Sequence, residues 1–177
     1  MNERRTGRAE RGEYAEYAQS DFDYLVHDDA IEALEASRAE TVALFESISD
    51  ARAAGLTYAP GKWSLKEVLG HLIDDERIFV YRALCLTRSD RRELSGFDEK
   101  EYVAASQFEQ RSLDSLLNEY RAVRASTIAF FSALTKEQWL RRGVVNGYEA
   151  SVRGLAFHIA AHELHHLRIV REKYLTP

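Results

Sequence analysis

A chain of 177 residues with 45% hydrophobic content is long enough to bury one core and short for two, so a single folded domain is expected. Its net charge of -5, with acids and bases interleaved, leaves no basic stripe and argues against a nucleic-acid binder. A single cysteine, Cys85, rules out an internal disulfide framework and a cysteine-based zinc site, which fits a cytoplasmic protein.

Met1 to Glu13 is rich in Arg, Glu and Gly without an apolar stretch, so it reads as neither a secretory signal nor a membrane anchor. The expected organisation is a polar N-terminal tail over residues 1–20, mobile or docked on a partner, and one helical domain over residues 21–177. No run elsewhere approaches the ~20 apolar residues that cross a bilayer, so no membrane partner is expected. Two prolines and nine glycines, among long stretches of Ala, Leu, Glu and Arg, favour helix over strand.

The first helix is predicted from about Asp28 to Ser49, with Ile31, Leu34, Val42, Phe45 and Ile48 at helical spacing, ending before the turn-rich stretch that closes on Pro60-Gly61. Ser64-Leu65-Lys66-Glu67 has the serine-to-glutamate spacing of a capping box and opens a second helix reaching about Thr87. A third covers about Leu113 to Leu134 on Leu116, Leu117, Tyr120, Val123, Ile128 and Phe131, and Thr135 then caps a short helix bearing Trp139. Asn146-Gly147, flanked by Val145 and Tyr148, is a hairpin signal, and Ser151 caps a last helix from about Val152 to Tyr174. The predicted fold is all-α, a four-helix bundle with a small turn or ribbon before the last helix. Such bundles place metal ligands on inward positions of facing helices.

The last helix carries His162-Glu163-Leu164-His165-His166. Histidines four apart project from one face, so His162 and His166 can bind one ion together. They fall on the apolar stripe of Leu155, Ile159, Ile169 and Val170, where core residues would otherwise sit. His71, beside Val68, Leu69 and Leu72 on the second helix, is the candidate for a third nitrogen. Three protein ligands with one open position are the arrangement of a catalytic zinc-type site. His158, four before His162, could by spacing replace His166, or serve in packing or behind the ligands. His165 lies off the stripe, and His27 precedes the first helix.

The same string matches the H-E-x-x-H of zinc proteases, with Glu163 as general base, but only Leu167 to Pro177 follow, with no Gly or His at the extended-motif spacings and only Glu172 as a carboxylate, so a third ligand is expected from upstream. Glu163 also projects about 100° away from His162. On the second helix Asp75, one turn from His71, could orient its ring, and Glu76 falls on the core stripe where a carboxylate needs a partner. Either could instead bind an arginine such as Arg168. Cys85, Trp63, Trp139, Phe131 and Phe157 are expected to pack in the core, with some of the aromatic rings lining the mouth of a cavity.

Trp63-Ser64-Leu65-Lys66-Glu67, His71 opening an H-L-x-x-x-E stretch, and the late H-x-x-H-H resemble in order and spacing the DinB/YfiT-like superfamily of metal-binding four-helix bundles. Leu86-Thr87-Arg88 and Phe97-Asp98-Glu99 are similar to its YfiT branch. The resemblance runs from about Ala30 to Tyr174. It implies His71, His162 and His166 as ligands of a divalent ion, zinc or nickel, and frequent homodimerisation. Known activities in the family include S-transfer with a low-molecular-weight thiol and maleylpyruvate isomerisation, and many other members are described as hydrolases without an assigned substrate. The expectation is therefore a metal-dependent transferase or hydrolase acting on a small molecule, its ion lowering the pKa of water or a thiol. The alternative is a non-catalytic metal- or ligand-binding bundle acting as a stress-related dimer. Tyr81, Phe79 and Phe97 are expected on an outer dimer face, rimmed by Arg88-Ser89-Asp90-Arg91-Arg92.

Overall fold

A computed structural model of the chain describes residues 7–90 and 92–175. Met1 to Thr6 of the expected tail, and Arg91 of the expected polar rim, lie outside the described residues. In chain order the helices are α1 (Gln19–Phe22), α2 (Ala30–Glu46), α3 (Asp50–Gly55), α4 (Leu65–Thr87), α5 (Glu99–Ala105), α6 (Leu113–Ser132), α7 (Lys136–Trp139) and α8 (Val152–Ile169). Between α7 and α8, strands β1 (Arg142–Val145) and β2 (Tyr148–Ser151) pair antiparallel around the Asn146-Gly147 turn. The all-α bundle with a small ribbon is thus the observed fold. No helix among the described residues is long and apolar enough to cross a membrane.

The long helices begin where a side chain can cap them. The Asp29 carboxylate accepts from the backbone N–H groups of Ile31 and Glu32 at 3.0 and 3.1 Å. Ser64 and Glu67 satisfy each other's backbone donors at 3.2 and 2.8 Å, and Ser151 Oγ accepts from Gly154 at 2.8 Å. The short α3 and α5 were not expected from apolar periodicity, because six or seven residues are too few to show it. They too are capped, by Ser49 and Asp98.

α4 packs against α6 and α8, and α2 packs against the same two helices. The connections from α2 to α4 and from α6 to α8 therefore run between opposite corners of the bundle, and the second carries α7 and the ribbon. Two apolar clusters fill the interior. One is centred on Leu34, Phe131, Phe157 and Trp139, the other on Phe45, Leu69, Leu116 and Tyr120. Phe79, expected on an outer dimer face, is instead 3% exposed within the first cluster, because α4 turns that position toward α8. Tyr81 is left outside at 55% exposure.

Part of the stretch expected to be a loose polar tail is built into the domain. Ala9, Glu13, Ala15 and Ala18 are buried. The Glu13 carboxylate accepts from Arg153 Nε at 3.1 Å, and its carbonyl accepts from Ser151 N–H at 3.0 Å. Gly154 makes this possible, since a Cβ there would lie 1.8 Å from the Glu13 carbonyl oxygen. The physical reason for the difference is a partner 140 residues away in the chain, which composition does not reveal.

Where the four long helices meet, Arg124 of α6 is 1% exposed. Its Nε donates to both oxygens of Glu76 on α4 at 3.0 and 3.1 Å, and its Nη2 donates to Glu163 on α8 at 2.8 Å. Its Nη1 donates to the Leu34 carbonyl and Ser37 hydroxyl of α2 at 2.8 and 2.9 Å. Glu163 also accepts from the hydroxyls of Thr41 and Tyr120. Removing one member of such a cluster leaves uncompensated buried charge, which costs about 3–5 kcal/mol. Arg124→Ala should lower the unfolding free energy in urea by about that much, and Arg124→Ala combined with Glu76→Gln should recover part of the loss. An Arg124→Ala protein as stable as the parent would show that the cluster does not hold the bundle.

Candidate metal site

His71 and Asp75 lie one turn apart on α4, while His158, His162 and His166 follow one another at single-turn spacing on α8. Because α4 packs directly on α8, the two rows meet. His71 Nε2 is 3.2 Å from His162 Nε2, which is 3.1 Å from His166 Nε2. One ring nitrogen from each of the three lies within 4.8 Å of the others, an arrangement that could hold a metal ion. Two imidazoles 2.0–2.1 Å from a tetrahedral ion have nitrogens about 3.3–3.4 Å apart. The donor set and its spacing therefore fit such an ion.

The second nitrogen of His162, Nδ1, lies 3.3 Å from the Asp75 carboxylate. A carboxylate only accepts, so the proton sits on Nδ1 and the Nε2 lone pair faces the other two histidines. Burial opposes ionisation of Asp75, but the charge of His162 and the hydrogen bond to it outweigh this and hold the carboxyl at about 2. Burial likewise opposes the charged form of His162, and Asp75 prevails in raising its pKa. His71 is pushed down to about 4, first by burial and then by His162. His166 is lowered well below the usual imidazole range for the same two reasons, burial first. These depressed values favour the neutral, lone-pair-bearing imidazole that binds metals.

Other residues singled out in the sequence take different places. Asp75 orients His162 and not His71. Glu76 and Glu163 both belong to the Arg124 cluster, so neither faces the histidines as a general base, and Glu76 pairs with Arg124 and not with Arg168, which bonds Glu172 and Tyr24. His158 stacks on the Phe79 ring at 4.0 Å and an interplanar angle of 3°, with burial taking its pKa to about 4. His165 Nδ1 pairs with Asp21 at 2.9 Å on the partly exposed side of α8, and His27 lies 3.8 Å from Glu32. Cys85 is half-buried and packs against the first apolar cluster.

The site is partly covered and partly open. Trp63, just ahead of the Ser64 cap, places its ring 4.8 Å from that of His71 and 6.5 Å from that of His166. Its carbonyl accepts from the Tyr174 hydroxyl at 2.7 Å, where a π-helical turn, Val170–Tyr174, extends α8. Beside this cover, His166 opens on a cavity of about 230 Å³ lined by Tyr58, Trp63, Val68, Ile169 and Lys100 among others. Tyr58, Lys100 and Tyr174 were not singled out in the sequence, since each comes from a segment without chemical pattern.

A family model, the DinB superfamily, matches residues 33–170. Among solved structures the chain is similar to YfiT from Bacillus subtilis, a probable metal-dependent hydrolase with an unusual four-helix bundle topology. The TM-score is 0.73 at 17% identity, covering 94% of this chain and 91% of YfiT. It is also similar to the mycothiol-dependent maleylpyruvate isomerase, with a TM-score of 0.68 at 11% identity, covering 83% of this chain and 61% of the isomerase. Both likenesses are of fold. No curated protein matches the sequence.

The depressed histidines carry a pH signature in metal-free protein. His71 and His158 take up protons near 6.5 when unfolded but only near 4 when folded. The unfolded chain therefore binds more protons between these values, and stability falls as pH is lowered through that window. His162, shifted upward, offsets part of this, and Asp75 adds its own loss only below the ordinary carboxylate range, toward about 2. Urea unfolding of the metal-free protein should give lower stability at about pH 5 than at about pH 7. His158→Phe, which keeps the stacking on Phe79, should shrink the difference; equal stability at the two pH values would contradict the burial of these rings as neutral species.

Proposed function

Because the chain belongs to the DinB superfamily, we propose that it is a metal-dependent enzyme acting on a small molecule, with His71, His162 and His166 as the protein ligands of a divalent ion, zinc or nickel. One observation carries this reading: three imidazole nitrogens converge, with no fourth protein ligand in the group among the described residues, beside a cavity that reaches His166. A structural ion is usually enclosed by four protein ligands, whereas a catalytic one keeps a position open. A divalent ion there supplies Lewis acidity that makes a thiol or water a nucleophile at neutral pH.

The residues around it have separable tasks. Asp75 holds the His162 ring with its lone pair inward. Trp63 excludes water from the His71 side, and the largely apolar cavity with Lys100 at its edge receives the substrate body. S-transfer from a low-molecular-weight thiol to an electrophilic small molecule is the leading reaction in this reading. Hydrolysis of a small molecule is the second, favoured by the likeness to YfiT, a probable metal-dependent hydrolase. The rival is a non-catalytic metal-binding bundle. A cytoplasmic location and homodimerisation belong to the proposal as well, with the exposed α4 residues Tyr81 and Leu84, 55% and 39% accessible, on the shared face.

Elemental analysis and turnover test the site together. His162→Ala should lose bound metal while His165→Ala retains it, and Asp75→Asn should weaken metal affinity by about 10–100-fold. Equal metal loss in His162→Ala and His165→Ala would remove the ligand assignment. The loaded protein should consume bacillithiol, mycothiol or glutathione in the presence of an electrophilic haloarene, or cleave activated esters and amides, and chelation should abolish the reaction. Tight metal binding without turnover in any of these assays would favour the rival.

Light scattering at several concentrations should give twice the chain mass, and Tyr81→Glu should shift it toward one chain. A single-chain mass for the parent at about 100 μM, far above the Kd of a stable dimer, removes the dimer and leaves the metal site untouched.

A further inference from the structure

A second cavity, of about 370 Å³, lies further along α4 toward its C-terminal end, walled by Ile78, Tyr81 and Arg82, by the segment from Arg92 to Phe97, and by Tyr102 of α5. It shares no lining residue with the cavity at His166. Its loop wall is fastened to the ribbon. Leu94 N–H donates to the Val144 carbonyl at 3.0 Å, and the Leu94 carbonyl accepts from Asn146 N–H at 2.8 Å. The Glu93 carboxylate accepts from Gly147 N–H at 3.2 Å.

Arg82 is 3% exposed, yet it lacks the partner that a buried guanidinium requires. Its Nη2 donates to the Ser95 carbonyl at 2.9 Å, its Nε has no hydrogen-bond partner, and no carboxylate of the described residues forms an ion pair with it. The rings of Phe79 and Phe97 lie 4.8 and 5.8 Å from the guanidinium carbon. Their faces offset some of its charge but do not replace acceptors for N–H donors lying in the guanidinium plane. Leaving a buried charged donor unmatched is costly. The nearby acids are engaged elsewhere, since Asp90 holds Arg92 and Glu93 holds Gly147.

The acceptor that best suits a guanidinium is a planar group with two oxygens, bound through parallel N–H bonds. Of the remaining wall, Arg92, Glu93 and Ser95 are polar, while Ile78, Tyr81, Phe97 and Tyr102 offer an apolar or aromatic surface beside Arg82. We propose that this cavity binds a small-molecule carboxylate with an apolar body, its carboxylate held by Arg82 and its body packed on these rings, at a site independent of the three histidines.

The test uses the full chain, metal-loaded, and the ¹H–¹⁵N signals of arginine Nε, with the Arg82 signal identified by its loss in Arg82→Lys. Benzoate should move that signal saturably, half-saturating at or below about 10 mM, while benzamide of the same shape leaves it in place. Read at the backbone amide of Gly96, Arg82→Lys should weaken benzoate by at least about tenfold, because a point charge cannot offer the two-pronged contact. His162→Ala should bind benzoate as the parent does, which separates this site from the metal site. If Arg82→Lys does not fold, the parent's response to benzoate against benzamide decides. No movement with benzoate, equal movement with benzamide, or a response to inorganic phosphate alone overturns the proposal.

Discussion

The Arg124 guanidinium, 1% exposed at the meeting point of the four long helices, must find acceptors there, because leaving such a buried charge uncompensated costs about 3–5 kcal/mol. It finds them on all three neighbours: backbone and hydroxyl on α2, a carboxylate on α4 and another on α8. A greasy interface tolerates sliding, whereas this set of directed bonds does not. The consequence reaches the candidate site, for Glu76 and Glu163 are the immediate neighbours of Asp75 and His162. Fixing the two glutamates fixes the rotation and height of α4 against α8, and so the distance across which Asp75 meets His162.

Charge in this layer points the same way. Glu76 and Glu163 are buried on the single guanidinium of Arg124 and Asp75 is buried beside His162, so these carboxylates outnumber that guanidinium. Such a layer suits a cation at the histidines on its edge, by ordinary Coulombic attraction in a poorly polarisable interior. Two acids that sequence alone could assign to catalysis thus act at one remove, one clamping helices and the other turning a ring. H-E-x-x-H here is two histidines on one face of α8 and a glutamate on another, pointed into the core.

Much of the bundle was legible in the chain. Ser64 with Glu67, Ser151, Thr135 and Asn146-Gly147 act through bonds made within a few residues, so their sequence pattern and their structure coincide. The short α3 and α5 escaped because one or two turns show no periodicity. The fate of the N-terminal stretch escaped because Glu13 looks like any solvated acid until Arg153 is brought beside it. Arg124 gave no signal, being one arginine among many on an amphipathic helix, and its burial depends on acceptors from three other segments.

At the candidate site the division follows the same physical line. The sequence by itself determined that His162 and His166 share a face of one helix, since 3.6 residues per turn leave no choice, and that His71 stands at the edge of the apolar stripe of another. Tertiary structure alone decided that these faces meet, that Asp75 serves His162 and not His71, that Glu76 takes Arg124 and not Arg168, and that Phe79 turns inward to carry His158 and Arg82. These outcomes hang on the rotation of α4 about its axis against α8. That rotation is set by packing and buried bonds summed over the whole bundle, not by the identity of any residue along the helix.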